Sequence, residues 1–221
     1  MKTRNTISAA HFFRLLAAGL SLLALAACGT LRPAATPQAA FYSLEGAQGA
    51  APAAAPRQLP AAAPTLIVNP AHAAAGFDSS RIIYVREPHK LEYFAHSEWV
   101  DTPARMLAPL LVASVENSGA FRAVVPTPST AAGDLRLDTE IIRLQQEFST
   151  RPSRVRFTLR AYLVEDKTRR VLAWREFDAA VPAASDDPYG GVVAANQAVQ
   201  AVLKDVAAFC AAATRDMRLG K

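Results

Sequence analysis

Two alternating runs, 134–148 and 154–165, joined by Ser149-Thr150-Arg151-Pro152-Ser153, constrain the fold of this chain more than any other feature. In the second run Val155, Phe157, Leu159, Ala161 and Leu163 alternate with Arg154, Arg156, Thr158, Arg160 and Tyr162. Successive side chains of a strand point to opposite faces, so this pattern predicts one buried face and one wet face. The first run carries a conflict of phase. Leu135, Leu137, Thr139 and Ile141 share one face, yet the next apolar set is Ile142, Leu144 and Phe148. A regular strand cannot bury both sets on one side, because a slip of one residue turns every later side chain over. An extra residue at Ile141–Ile142, a β-bulge, restores the phase.

Other elements read around this pair. Thr65-Leu66-Ile67-Val68 is a short apolar strand. Ile82-Ile83-Tyr84-Val85 and Leu91-Glu92-Tyr93-Phe94 flank Pro88-His89-Lys90 as a hairpin. A helix follows, with Asp101 or Thr102 at its cap, Pro103 at its first position and Ser118-Gly119 at its end. Met106, Leu107, Leu110, Leu111 and Val115 recur at helical spacing. Pro109 inside it costs about 3 kcal/mol and predicts a kink or a split. Phe121 to Val125 is a strand, and Val171 to Val181 a third member of the meander. Asp187 before Pro188 starts a last helix, whose stripe is Val192, Asn196, Val199, Leu203, Val206 and Cys210. A lone Cys can be reactive, but the place of Cys210 on this stripe predicts a buried small hydrophobe. The order implies an α+β domain: a mostly antiparallel sheet with two helices packed on one face.

The N-terminus is of a different kind. Lys2, Arg4 and Arg14 precede an uncharged run of 13 residues, Leu15 to Ala27. That run is shorter than the roughly 20 residues of a membrane-spanning helix and fits a secretory signal. Leu25-Ala26-Ala27-Cys28 resembles the lipobox of bacterial lipoproteins, which implies cleavage before Cys28 and acylation of its thiol and new amine. Several acyl chains hold a protein stably to a membrane. Gly29, where an Asp commonly retains lipoproteins at the inner membrane, favours the outer membrane. Without the signal the 24 basic residues fall to 21 against 19 acidic ones, a net charge of +2. That balance and the compartment argue against a nucleic-acid partner. Residues 46–64, nearly all Ala, Pro, Gly and Gln, read as a tether that spans about 60 Å when extended. Phe41-Tyr42-Ser43-Leu44, the only aromatic patch before residue 65 outside the signal, is expected to dock on the domain. The chain thus divides into a signal (1–27), a lipidated N-terminus and tether (28–64), the domain (65–213) and a tail (214–221).

With Cys28, Phe41 to Leu44, Tyr84 and Tyr93, Trp99 followed by Pro103, and Asp187-Pro188-Tyr189 in view, the chain resembles the ABC-type transport auxiliary lipoproteins over residues 41–213. The resemblance implies a periplasm-facing lipoprotein of the outer membrane, without catalytic activity or cofactor. It implies service to a transporter in which an ABC permease and ATPase work with an MCE-domain protein that carries lipids between membranes. It also leaves room for a ring of identical copies. Another envelope machine, such as a cell-wall synthase or lipopolysaccharide assembly, is the alternative setting. The hairpin aromatics Tyr84, Tyr93, Phe94 and Trp99 are candidate partner anchors, although Trp99 can equally seal the core beneath the first helix.

No catalytic set is legible. His72, His89 and His96 lack the spacing of a metal site. Asp186-Asp187 is accounted for by helix capping. Gly190-Gly191 lacks the Gly-Lys-Ser/Thr of a phosphate loop. Arg154, Arg156 and Arg160 can face lipid headgroups or an acidic partner, but Glu140 and Glu147 on the neighbouring strand should partly neutralise them.

Overall fold

The computed structural model describes residues 38–45 and 63–218, so the signal, Cys28 and most of the Ala/Pro-rich run lie outside the described residues. The elements are β1 (Ala40–Tyr42), β2 (Thr65–Val68), β3 (His72–Ala73), β4 (Arg81–Val85), β5 (Glu92–Trp99), α1 (Pro103–Asn117), β6 (Ala123–Pro126), β7 (Leu135–Glu147), β8 (Arg154–Glu165), β9 (Val171–Pro182) and α2 (Pro188–Arg218). β7 is the spine of the sheet. Its full length pairs antiparallel with β8, which pairs antiparallel with β9. Along its other edge β2, β3 and β4 pair parallel, end to end. β6 extends the β2 branch, while β5 and then β1 extend the β4 branch. The antiparallel ladders hold most of the paired residues, and the parallel ones are two to four residues long.

The phase conflict resolves at the expected place. Ile141 faces Leu159 and Arg143 faces Thr158, so Ile142 is the extra residue. Ile141 and Leu144 are consequently both buried. The apolar face of β8, from Val155 to Leu163, is buried throughout and shares one core with Leu107, Leu111 and Val115 of α1 and with the stripe of α2. Beyond the bulge, Gln146 rather than Phe148 takes the next buried place.

α1 is not split at Pro109, which lies on its exposed side. The ring removes one amide donor there without displacing any buried side chain. Thr102 holds the cap position without a side-chain bond to the helix. Asp101 instead accepts a hydrogen bond from the Thr102 amide at 2.7 Å. In α2 the Asp187 carboxylate accepts from the Gly190 amide at 2.7 Å, as an N-cap should. Cys210 is fully buried, and desolvation pushes its thiol up to about 12, so it stays protonated and inert. The separate tail expected from residue 214 is not seen. Thr214 is buried, its hydroxyl donates to the Cys210 carbonyl at 2.8 Å, and α2 continues to Arg218.

The Ala/Pro-rich run also changes role. β1 precedes it and is already seated in the sheet, while Ala63 at its other end is buried. Both ends are fixed on one body, so the run connects two strands and does not set the distance to a lipid anchor.

Candidate interaction surfaces

Two motifs far apart in sequence meet at one end of the domain. β1 lies parallel to β5, with Tyr42 opposite Trp99, and the Tyr42 carbonyl accepts from the Val100 amide at 2.8 Å. The start of α2 completes this end, with the Tyr42 and Tyr189 ring centroids 6.5 Å apart. Asn196 then clasps the leader: its Nδ2 donates to the Ser43 carbonyl at 3.2 Å, and its Oδ1 accepts from the Glu45 amide at 2.7 Å. Leu44, between those two backbone contacts, is buried in the core. The apolar stripe of α2 therefore carries one polar member because that member grips a strand. An Asn within an otherwise apolar stripe was the only sign of this in the sequence.

A polar junction supports the same helix from beneath. Gln146, 2% exposed, donates through Nε2 to the Ser153 hydroxyl at 2.9 Å. The Ser153 amide donates to Asp186 Oδ1 at 2.7 Å. A Cβ on Gly191 would come within 2.2 Å of Gln146 Oε1, so only glycine lets the helix approach this closely. The Ser153 amide holds the Asp186 carboxyl below its ordinary range, and the Gly190 amide does the same for Asp187. These bonds leave the acid pair with structural duties. Among the described residues no group of three or more His, Cys, Asp and Glu is placed to hold a metal ion.

The hairpin separates the four candidate anchors. Trp99 is 3% exposed and part of the core, which removes it from any surface. Phe94 and Tyr84 lie with ring centroids 4.5 Å apart, and Phe148 closes on Tyr84 edge-on at 5.8 Å. Arg86 donates to the Tyr84 hydroxyl at 2.7 Å and to Glu92, which raises its already high pKa. Tyr93 projects from the opposite side of β5, exposed, with the Arg81 guanidinium 4.9 Å from its ring centroid. Only Tyr84 and Phe94 are thus brought together.

The wet face of the meander is internally paired. Glu147 accepts from Arg154 Nε at 3.0 Å and lies 3.5 Å from Arg156 Nε. Arg160 bridges Glu176 at 2.9 Å and Glu140 at 3.7 Å. Trp174 stacks on Tyr162 beside them. These pairs neutralise the arginines, so the face has no standing excess of positive charge for an anionic ligand.

No curated protein matches the chain in sequence. Among solved structures, a Xanthomonas campestris protein is similar over 82% of this chain and 99% of its own, with a TM-score of 0.69 and 22% identity. A second, uncharacterized protein is similar over 78% of this chain and 99% of its own, with a TM-score of 0.61 and 12% identity. At such identities these likenesses establish the fold. The family model for ABC-type transport auxiliary lipoprotein components matches residues 42–207, from the clasped leader strand to the last turns of α2. That span includes the hairpin, the Trp99-to-Pro103 entry of α1 and Asp187-Pro188-Tyr189, and this chain belongs to that family.

Proposed function

We propose that this protein is a non-catalytic accessory of an MCE/ABC-type lipid transport system, anchored through Cys28 in the outer membrane and facing the periplasm. The observation that carries the reading is the family match over 42–207, which spans nearly all the described fold. The chemistry of the described residues agrees with a docking role. The buried thiol is protonated, the acid pair caps and buttresses a helix, and the arginines are paired with glutamates. Among the described residues no helix is long and apolar enough to cross a membrane, so stable attachment would fall to the acyl chains. Gly29 supports outer-membrane sorting.

The MCE-domain protein and its permease and ATPase would meet the domain at the β4–β5 hairpin. Tyr93 and Leu91 are exposed there, Tyr93 on the side of β5 opposite the Tyr84–Phe94 pair. Aromatic side chains bury much area for little entropy and often anchor interfaces. The test is recovery of partners from crosslinked cells with the wild-type protein and with Tyr93→Ala. MCE and permease subunits recovered with the wild type, and depleted with the variant, support the reading. Recovery of cell-wall synthases or lipopolysaccharide-assembly proteins in their place overturns it. Separation of inner and outer membranes checks the anchor independently.

A further inference from the structure

We infer that the end of the domain formed by Phe41, Val100 and Tyr189 rests on the lipid–water interface of the membrane that holds Cys28. The inference depends on the lipoprotein reading and adds an orientation to it. Among the described residues, three of the seven large exposed apolar or aromatic side chains gather at this end: Phe41 at 62%, Val100 at 58% and Tyr189 at 64%. The Val100 amide bonds to β1, and Phe41, Tyr42 and Tyr189 line one groove. The other exposed aromatics among the described residues stand apart from one another, Tyr93 beside Arg81 and Trp174 stacked on Tyr162.

The occupant follows from the chain that leads to this end. Ala40 comes 12 residues after Cys28, and β1 is seated, so the route from lipid to domain cannot be lengthened by the Ala/Pro-rich run. Twelve residues reach at most about 40 Å, close to the diameter of a globular body of this size. The leader end must therefore stay within one domain diameter of the bilayer. Tyrosine suits the interface, where its ring is desolvated and its hydroxyl stays wet, and phenylalanine adds apolar area to the buried side. Charge works against an electrostatic alternative. Asp186 and Asp187 immediately precede α2 and Glu98 lies opposite Phe41, so the charges nearest the patch along the chain and the ladder are carboxylates. The contact is thus apolar, and anionic lipid should not strengthen it.

The test uses the full-length, acylated protein in phosphatidylcholine vesicles carrying brominated phospholipid. Phe41→Trp and Tyr189→Trp are each made in a Trp174→Phe background, native Trp174 on β9 serves as the comparison, and Trp174→Phe alone gives the contribution of the buried Trp99 common to every sample. Acylation of every sample is read by intact mass. The expected result is a blue shift and a quenching several-fold larger at positions 41 and 189 than at Trp174, not strengthened when phosphatidylglycerol is added. An acylated, vesicle-bound protein with equal quenching at all three positions overturns the contact alone. An unacylated chain that does not bind vesicles overturns the anchor reading and the contact with it. Shielding that arises only when the MCE protein is added reassigns the patch to a protein interface and also overturns the inference.

Discussion

The meander β7–β8–β9 and the clasped leader β1 belong to one sheet but are held in opposite ways. The meander is a continuous antiparallel unit with every inward side chain of β8 buried, so its stability comes from apolar area distributed over three long strands. The leader has three paired residues, one inserted leucine and a clasp by a single asparagine. A region of the first kind loses stability globally when it is damaged. A region of the second kind can open while the rest stays folded.

The strongest way to break this comparison is to damage the meander. Phe157→Ala empties a fully buried position and should cost about 3–5 kcal/mol in denaturant unfolding. A smaller loss would mean that the meander is not the stabilising unit. Gly191→Ala strikes where the meander meets α2. The added methyl must displace Gln146 Oε1 or lift the helix, at a cost of about 1–3 kcal/mol, and Gln146→Ala in the same chain should recover part of it. Asp187→Ala removes the cap of α2 at a cost of about 1 kcal/mol or less at this exposed end.

The pH dependence of that end has a defined sign. The carboxyls of Asp186 and Asp187 titrate lower in the folded protein than in the unfolded chain. Their stabilisation is therefore complete above the ordinary carboxyl pKa of about 4 and lost as pH falls through the lower folded values. Asp187→Asn, which keeps an acceptor for the Gly190 amide, should flatten the Asp187 part of this acid loss while retaining most of the cap. The smallest effect is expected from Glu176→Gln. It removes one of two exposed carboxylates around Arg160, and the unfolding midpoint should not move measurably.

The same contrast explains what the sequence made legible. The meander follows from a period of two, and even its defect could be located, because a shift in that period is a local signal at Ile141 and Ile142. The final helix and its Asp187 cap were equally local. The leader's place was only half legible. An aromatic patch announces that it will bury something, but its site is decided by Asn196, 151 residues from Glu45. Gln146 was hidden for a related reason, since its burial depends on the bulge before it and on a glycine in another element. The parallel branches along β7 arise from pairings among short strands, and β3, with two residues, has no pattern to read. Trp99 shows the limit of composition: a tryptophan among exposed aromatics fits an interface and a core alike, and neighbours from β4, β7 and α2 decide for the core.

Amide exchange followed residue by residue tests the account most directly, because the leader's attachment fixes both the comparison and the reach of the anchor. In the wild type the amides of Tyr42, Glu45 and Val100 should be protected, though less than those of Leu159 and Leu163. Asn196→Ala should abolish protection across 42–45 and leave the meander unchanged. Leader amides that exchange freely in the wild type would contradict the account, as would an Asn196→Ala variant that loses protection everywhere at once.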